Sequence, residues 1–157
     1  MKAFRKLALG LATAADAAPI AAMSRELIEA GLPWTWTPQR VARSLAQPDT
    51  LVLGARDGAV LAGFAIMQFG EERAHLSLLA VRPDYRRQGV ARRMLDWLCA
   101  SALTAGIASI QLELRETNLD ARRFYLKQGF AETARVPRYY QGAETALRMS
   151  RDIRVKT

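Results

Sequence analysis

A short segment in the middle of the chain has the residue types of an anion-binding turn. It runs from Arg86 to Ala91, follows the apolar run Leu79-Ala80-Val81 and precedes a stretch with helical periodicity. Small residues such as Gly89 let a ligand approach the unpaired N–H groups of a first helical turn, where the helix dipole favours anions. The flanking arginines, including Arg92, add positive charge. The segment predicts a pyrophosphate site, with an ordinary strand-to-helix loop and a solvated basic rim as the alternative.

Two predicted elements follow this turn, a strand and a helix, and both carry polar side chains. Residues 110–115 alternate strictly between apolar and polar, which predicts a half-buried strand with Glu113 on its polar face. Asn118 then has the position of an N-cap for a helix that stops at Gly129. Asn118 and Tyr125 are nearly two helical turns apart, so they lie along one face. A ligand that contacts Asn118 could therefore also meet the Tyr125 hydroxyl.

The remaining pattern supplies the elements that must position these groups. Residues 1–12 predict an edge strand, and Asp16 predicts an N-cap that opens a helix over 17–28. Thr37-Pro38 predicts the start of a short helix to about Ala46. Asp57-Gly58 predicts a hairpin between strands over 51–56 and 60–69. Further strands are predicted over 74–81, 130–136 and 145–151.

A longer helix is predicted over residues 89–104, ended by Gly106. Its apolar stripe is predicted to contain Val90, Met94, Trp97, Leu98 and Ala102. The order of elements is therefore β-α-α-β-β-β-α-β-α-β-β. We expect one α/β domain over residues 1–157, with a mixed, mostly antiparallel central sheet of about seven strands flanked by about four helices.

Length, composition and charge exclude several classes of protein. The chain has 157 residues, half of them hydrophobic, which suits one domain with a real core. No apolar run is long enough to span a bilayer. The basic, then apolar, first residues resemble a signal peptide, but Asp16 follows at once and the edge strand is the better interpretation. The single cysteine, Cys99, allows no internal disulfide, so we expect a cytoplasmic protein.

The formal net charge of +8 invites a nucleic-acid interpretation. The arginines are spread along the chain, however, and no nucleic-acid-binding motif accompanies them. A basic surface also suits a polyanionic small ligand or an acidic partner. We therefore expect no nucleic acid, no membrane and, because no cluster has metal-ligand spacing, no metal.

The anion-binding turn and its surroundings resemble the GNAT superfamily of acyl-CoA N-acyltransferases. The superfamily signature (Arg/Gln)-x-x-Gly-x-(Gly/Ala) is matched by Arg86-Arg87-Gln88-Gly89-Val90-Ala91. Ordered blocks around it match as well: Leu-Ala-Val-x-Pro-x-Tyr before it, then Leu-Glu-Leu-Arg-Glu-Thr-Asn, Arg-Arg-Phe-Tyr and Gln-Gly-Phe. Residues that match the superfamily pattern are most frequent over residues 78–149. It implies a GNAT-like fold and acetyl-CoA as the acyl donor.

The resemblance also implies a role for each residue that would hold coenzyme A. The backbone of Leu79, Ala80 and Val81 would pair with the pantetheine arm, the N–H groups of residues 87–92 would hold the pyrophosphate, and the next helix would contact the cofactor. One departure is Ala91, where glycine is commoner. Its methyl group slightly narrows the pyrophosphate site. The implied cofactor residues are Leu79, Ala80, Val81, Arg86, Arg87, Gln88, Gly89, Val90, Ala91, Arg92, Asn118 and Tyr125.

Within the superfamily the chain resembles the ribosomal-protein alanine acetyltransferases and their archaeal and eukaryotic relatives, which acetylate protein N-termini. The blocks that carry this are Leu112-Glu113-Leu114-Arg115, Val136-Pro137-Arg138-Tyr139-Tyr140-Gln141-Gly142 and the turn Leu32-Pro33-Trp34. Two departures lie near the acceptor side: the late block continues Ala143-Glu144-Thr145-Ala146, and Leu78 stands where asparagine is common. They bear on the identity of the acceptor more than on the reaction.

Acetyl transfer to an amine needs a neutral amine, a polarised thioester carbonyl and a proton for the departing thiolate. The resemblance assigns the base to Glu113, directly or through water, and the acid to Tyr125. The alternatives are that Glu113 is a solvated carboxylate and that Tyr125 is a core aromatic beside Phe124. An α-amine with pKa near 8 is about a tenth neutral at pH 7, whereas lysine is neutral in only ~0.04%. A single carboxylate base therefore suits an α-amine better.

Other side chains have two interpretations each. Tyr139 and Tyr140, predicted on a turn, could hydrogen-bond the backbone of the acceptor or simply end a strand. Trp34 and Trp36 could wall the acceptor pocket or pack against the core. His75, the one histidine, is assigned a structural role. Cys99 is expected to be a small buried hydrophobe.

Three functions remain open at this point. The first is an N-acetyltransferase that acts on a peptide or protein N-terminus. The second keeps the enzyme class but has a small amine as acceptor, such as a polyamine, amino acid or aminoglycoside. The third is a non-catalytic acyl-CoA-binding or nucleic-acid-binding module. The expected partners are acetyl-CoA and an amine acceptor. The oligomeric state (monomer or homodimer), the acyl-chain preference and the regulation are left open.

Overall fold

The computed structural model describes residues 7–140, 142 and 144–154, and the secondary structure follows the predicted order. The predicted strand over residues 1–12 begins outside the described residues, and its described part is β1. The strands are β1 (Ala8–Leu11), β2 (Thr50–Asp57), β3 (Val60–Phe69), β4 (Arg73–Val81), β5 (Ser109–Arg115), β6 (Ala131–Tyr140) and β7 (Glu144–Asp152). The helices are α1 (Ala17–Met23), α2 (Pro38–Leu45), α3 (Val90–Thr104) and α4 (Leu119–Lys127).

The strands form one seven-stranded sheet in the order β1-β2-β3-β4-β5-β7-β6. Every neighbouring pair is antiparallel except β4 and β5, which are parallel. The predicted mixed, mostly antiparallel sheet with four helices is therefore confirmed. Strand β7 lies between β5 and β6. Residues from β4, β7 and β6 therefore lie near the end of β5.

Several turns and helix ends form where the sequence predicts them. The Oγ1 of Thr37 accepts a hydrogen bond from the N–H of Arg40 at 3.3 Å, and Pro38 occupies the first turn of α2. The Oδ1 of Asn118 accepts from the N–H of Ala121 at 3.1 Å and caps α4. Gly58 has a positive φ of 60° in the β2–β3 hairpin. Each feature satisfies a backbone group or relieves a steric clash locally, which is why it can be predicted from sequence.

The first helical region differs from the prediction in its inner structure. A 3₁₀ turn (Ala14–Asp16) precedes α1, and a π-helical turn (Ser24–Ile28) follows it. The Asp16 side chain makes no capping bond to α1; its carboxylate accepts from the N–H of Thr13 at 2.8 Å and pairs with Arg56. Asp16 thus occupies the N-cap position of α1 as predicted, but its side chain closes the preceding turn and does not cap α1.

Two apolar cores lie on opposite faces of the sheet. One contains residues from α1 and α2 packed on β2, β3 and β4, and the other is formed mainly by α3 and α4 packed on β3, β4, β5 and β7. In α3, Val90, Met94, Leu98 and Ala102 are buried as predicted, but Trp97 is 37% exposed. The buried stripe continues through Leu95 and Cys99 on the other flank, which turns Trp97 outward.

The two parallel strands at the centre of the sheet pair over only part of their length. Their register runs from Arg73 opposite Ser109 to Leu76 opposite Leu112 and then stops. Opposite β3 the register of β4 skips Ser77, because Ile66 pairs with Leu78 and Met67 with Leu76. Such a bulge bends a strand, so the remainder of β4 diverges from β5. A gap therefore opens in the middle of the sheet.

Gly63 on β3 lets the diverging part of β4 approach closely. This position therefore gives a test of how β4 packs on β3. A Cβ at Gly63 would lie 2.9 Å from the carbonyl oxygen of Ala80 on β4, whereas a Cβ at Gly10 on β1 would meet nothing within 4 Å. We expect Gly63→Ala to lower the free energy of unfolding by about 1–3 kcal/mol, because β4 must shift. The control Gly10→Ala should change it by less than about 0.5 kcal/mol.

Urea denaturation of both variants measures this difference. Equal stabilities for Gly63→Ala and Gly10→Ala would show that β4 is not fixed closely against β3.

Candidate active site

The turn before α3 presents a row of unpaired backbone N–H groups. Arg87 and Gly89 both have left-handed backbone conformations, with φ of 61° and 76°. The first bond of the helix runs from the N–H of Arg93 to the carbonyl of Gly89, and none of the N–H groups of residues 87–92 donates to an acceptor in the described part of the chain. A Cβ at Gly89 would meet nothing within 4 Å, so the concave side is open. This backbone can hold a polyanion.

Side-chain contacts on both sides of the turn hold it in place. The Nε of Arg82 donates to the carbonyl of Leu61 at 2.8 Å, and the hydroxyl of Tyr85 donates to Asp57 at 2.7 Å. The Nε of Arg86 donates back to the carbonyl of Val81 at 3.1 Å. Arg86, Arg87 and Arg92 are exposed. The turn is therefore anchored to the β2–β3 hairpin while its positive side chains remain at the surface.

Gln88 is the remaining side chain of the turn. Its Nε2 lies 3.4 Å from the carbonyl oxygen of Asp84, and its Oε1 is buried without a partner in the described residues. The pyrophosphate contacts predicted for Val90 and Ala91 involve their backbone. Both residues begin α3, and no residue that the structure describes accepts a hydrogen bond from their N–H groups.

The edge of β4 that faces the gap leads to this turn. From Ser77 onward β4 has no partner on β5. The carbonyl oxygen of Ala80 points toward β3, as its closeness to Gly63 shows. Because peptide groups alternate along a strand, those of Leu79 and Val81 point into the gap. Leu79 and Val81 can therefore pair with an extended ligand, although the Val81 carbonyl already accepts from Arg86.

Helix α4 lies on the same face of the sheet as α3. Tyr125 is 7% exposed and its ring packs edge-on against Phe124 and Phe130, with centroids at 5.1 and 5.4 Å. Burial raises the pKa of Tyr125 above its ordinary value, which keeps the phenol protonated. No residue described in the structure hydrogen-bonds its hydroxyl. Asn118, at the N-cap of α4, is exposed and uses its Oδ1 as the cap, which leaves its amide N–H groups available.

Glu113 lies on the opposite face of the sheet, at the point where β4 and β5 separate. Its side chain is only 6% exposed, and its carboxylate has four hydrogen-bond partners: His75 Nε2 at 2.6 Å, Arg148 Nε at 2.9 Å, the Tyr139 hydroxyl at 3.1 Å and Gln111 Nε2 at 3.3 Å. Burial by itself would raise the pKa of Glu113, but the bonds from His75, Arg148 and Tyr139 outweigh it and lower the pKa to about 2. Glu113 is therefore a fixed anion in the free protein.

The tyrosine pair near Glu113 reaches it through an irregularity in β6. This strand continues to Tyr140, so the prediction that it ends at Val136 and leaves both tyrosines on a turn was wrong. Its register on β7 shifts between Val136 and Tyr140, and Arg138 takes a left-handed φ of 56°. The bulge brings the Tyr139 hydroxyl to Glu113, and Tyr140 packs edge-on against Tyr139 at 5.0 Å. Burial raises the pKa values of both phenols.

The segment between α1 and α2 is organised by a buried carboxylate that the sequence did not single out. Glu29 accepts from the Ser24 hydroxyl at 3.0 Å, from both the N–H and the hydroxyl of Thr35, at 2.8 and 2.5 Å, and from the N–H of Trp36 at 3.2 Å. Trp36 is buried in the core. Trp34 is half-buried, and its Nε1 donates to the carbonyl of Ala21 at 3.1 Å.

The sequence did not predict which residues contact Glu113. His75, which was expected to have a structural role, contacts the carboxylate through its Nε2. Arg148 was not considered, yet it lies opposite Glu113 in the β5–β7 register. The strict alternation of β5 does put Glu113 on a polar face. The identity of its partners depends on which strands flank β5, and local patterns do not carry that information.

The arrangement has two sides joined by a gap in the sheet. An anion-binding turn and a protonated, buried phenol lie on the α3–α4 face, and a buried carboxylate with an imidazole lies on the other. A ligand held along the edge of β4 could reach both. Within the described residues no group of three or more His, Cys, Asp or Glu side chains is placed to hold a metal ion, and no helix is long and apolar enough to cross a bilayer.

This fold and site are those of an acetyltransferase-type domain, and the comparisons with known proteins give the family. The model of the acetyltransferase (GNAT) family matches residues 21–130. The chain therefore belongs to the GNAT family, as the sequence resemblance indicated.

Individual relatives agree with this assignment. The chain is 33% identical over 150 residues to the N-alpha-acetyltransferase RimI of Mycobacterium tuberculosis, covering 92% of this chain and 91% of the relative. It is 38% identical over 93 residues to the ribosomal protein bS18-alanine N-acetyltransferase of Escherichia coli K12, which covers 57% of this chain and 63% of that relative. The match thus spans a little under two thirds of the E. coli protein's length.

A solved structure supports the fold over the whole chain. The crystal structure of the ribosomal-protein-S18-alanine N-acetyltransferase from Escherichia coli superposes with a TM-score of 0.80 at 28% identity, covering 97% of both chains. The resemblance seen in the signature segment therefore extends to the three-dimensional structure.

The lowered pKa of Glu113 predicts a pH-dependent contribution to stability. Because the pKa in the folded protein is about 2 and the ordinary value is 4.5, this contribution is fully present above pH 4.5 and is lost as the pH falls toward 2. We expect the wild type to exceed Glu113→Gln in free energy of unfolding by up to about 3 kcal/mol at pH 7. Denaturant unfolding should show this difference closing between pH 4.5 and 2. A constant difference would contradict the contacts described for the carboxylate.

Proposed function

We propose that this protein is an acetyl-CoA-dependent N-acetyltransferase that acts on the free α-amine of a peptide or protein N-terminus. The observation that carries the proposal is the gap between β4 and β5, which joins a polyanion-binding turn on one face to a buried carboxylate on the other. The names of the relatives, which include N-terminal acetyltransferases, support the choice of acceptor. We further propose a cytoplasmic location, supported by the free buried thiol of Cys99.

The residues of the α3–α4 face fit coenzyme A. The free N–H groups of residues 87–92 would bind the pyrophosphate, and exposed Arg87 and Arg92 would add attraction. The peptide groups of Leu79 and Val81 that point into the gap would pair with the amide groups of the pantetheine arm. The side-chain amide of Asn118 would donate to the same arm. The thioester would then lie in the gap.

Acetyl transfer at this position would use groups from both faces. The amine of the acceptor loses a proton toward Glu113 and attacks the thioester carbonyl, so that a C–N bond forms and the C–S bond breaks. The departing thiolate takes the proton of the Tyr125 hydroxyl, which burial keeps on the oxygen until then. The cycle closes when Glu113 releases the amine proton to solvent and the Tyr125 phenolate regains one. Tyr139 contacts Glu113 and Tyr140 packs against Tyr139, and both would hydrogen-bond the backbone of the acceptor. Trp34 would border the acceptor.

The acceptor can be identified by mass spectrometry on a panel of amines. We expect acetylation, seen as the mass of one acetyl group, on peptides with a free N-terminus and none on N-blocked lysine peptides, polyamines or aminoglycosides. Acetylation of a small amine alone would assign the enzyme to that substrate class instead. No product from any amine, with coenzyme A bound, would favour a non-catalytic binding module.

The proton donor can be tested by Tyr125→Phe, which removes the hydroxyl and keeps the ring contacts. We expect kcat to fall by about 10²–10⁴-fold, since the phenol acts only on the departing thiolate. Calorimetric affinity for acetyl-CoA should stay within about threefold, because the ring and backbone are unchanged. Unaltered turnover would remove Tyr125 from the mechanism.

The pyrophosphate turn can be tested with two matched glycines. Gly89 and Gly106 both have positive φ, 76° and 81°, and open space at the Cβ position, but Gly106 ends α3 far along the helix from the turn. Alanine at either residue costs roughly 1–2 kcal/mol of backbone strain. Only Gly89→Ala is expected to weaken coenzyme A binding, by about tenfold, since it changes the cradle itself. Equal affinities of the two variants in calorimetry would place the cofactor elsewhere.

A further inference from the structure

Arg148 on β7 lies opposite Glu113 and uses only one of its side-chain nitrogens for the contact between them. Its Nε donates to the Oε2 of Glu113 at 2.9 Å, and no residue that the structure describes hydrogen-bonds its Nη1 or Nη2. The Arg148 side chain is 34% exposed, whereas the Glu113 side chain is 6% exposed. The outer end of the guanidinium is therefore the part of this ion pair that a ligand from solution can contact.

The unused N–H groups of Arg148 have the geometry that binds a carboxylate. The guanidinium is a planar fork whose parallel N–H groups match the two oxygens of a carboxylate. Arg135 shows such pairing in the same chain, because its Nε and Nη2 donate to the two oxygens of Glu116 at 2.8 and 3.0 Å. Arg148 gives Glu113 a single N–H, and three other side chains occupy the same carboxylate. Arg148 thus keeps a fork for a second carboxylate.

We infer that Arg148 binds a carboxylate on the first residue of the acceptor, so that the preferred acceptors are peptides with N-terminal aspartate or glutamate. The inference rests on the proposed function and names its substrate class. The α-amine would lie at Glu113, and the side-chain carboxylate would lie on the Nη groups of Arg148. In an N-terminal aspartate or glutamate these two groups are only a few bonds apart. This short separation matches that between Glu113 and the outer edge of the guanidinium bonded to it.

The charges around Glu113 favour an acceptor that carries both signs. An ammonium group at Glu113 also lies close to the guanidinium of Arg148, and like charges at this distance repel. A carboxylate on the same acceptor residue offsets the repulsion by pairing with Arg148. On the same side of the sheet, Arg73 adds a positive charge whose hydrogen-bond partner is neutral, and the charge of Glu144 is offset by Arg115 at 3.6 Å. The formal net charge of +8 also attracts acidic peptides.

The first test is the kcat/KM of the wild-type enzyme on matched peptides that differ only in their first residue. Aspartate is compared with asparagine and glutamate with glutamine, since the members of each pair have the same shape and differ in charge. We expect the acidic peptide of each pair to be preferred by about tenfold. The same exchange at the second residue should have a smaller effect, because successive side chains of an extended chain point in opposite directions. Equal kcat/KM values within both first-residue pairs overturn the inference.

The variant Arg148→Gln separates binding of the carboxylate from the contact with Glu113. The amide nitrogen of glutamine occupies the same place along the side chain as the Nε of arginine, so it can still donate to Glu113, but both Nη groups are absent. We expect the preference for aspartate over asparagine to fall below about twofold. This preference is a ratio within one protein, so a general loss of turnover cancels. The control Arg73→Gln removes a guanidinium from the same side and should keep the wild-type preference within about twofold.

Free amino acids test a second source of the same carboxylate, because their α-carboxylate also lies a few bonds from the amine. Acetylation of peptides with a preference that is lost in Arg148→Gln and kept in Arg73→Gln supports both the inference and the proposed function. An equal preference in wild type and Arg148→Gln, or an equal loss in Arg73→Gln, overturns the inference and leaves the proposed function standing. Acetylation of free amino acids and of no peptide overturns the proposed function, and the acidic peptide inferred here falls with it.

Discussion

The early end of pairing between β4 and β5 is the constraint on which the site depends. Parallel strands in the middle of a sheet normally continue side by side, since each unpaired peptide group in an interior must find another partner. Here the pairing stops after Leu76 and Leu112, and a bulge at Ser77 bends β4 away. The peptide groups left without a partner strand are those a bound ligand can use. The same divergence creates the passage between the two faces of the sheet.

The two faces differ in their electrostatics, and this difference is the basis of the roles proposed for them. The α3–α4 face presents a helix N-terminus, free N–H groups and arginines, together with a phenol that burial keeps protonated. The other face holds one carboxylate ionised by His75, Arg148 and Tyr139. An acyl donor with a polyanionic handle suits the first face, and a cationic amine suits the second. Strands and helix ends position the groups on both faces.

Local features of the fold could be predicted from sequence, because each depends on a few adjacent residues. The caps at Thr37 and Asn118, the hairpin at Gly58 and the alternation of β5 are of this kind. The partners of Glu113 could not be predicted, since Arg148 reaches it only because β7 lies between β5 and β6. Tyr139 reaches it through a bulge with a left-handed Arg138, a conformation for which arginine gives no local signal. Trp97 was misplaced because an apolar side chain at the edge of a helical stripe can face either way.

The most direct test of a site that passes through the sheet is the affinity of a conjugate in which coenzyme A is joined through an acetyl linker to the α-amine of a peptide. If the two faces meet in the gap, the conjugate engages both at once. Its Kd, measured by calorimetry, should then be at least about 100-fold below that of coenzyme A alone. A conjugate that binds no more tightly than coenzyme A would contradict a continuous passage between the pyrophosphate turn and Glu113.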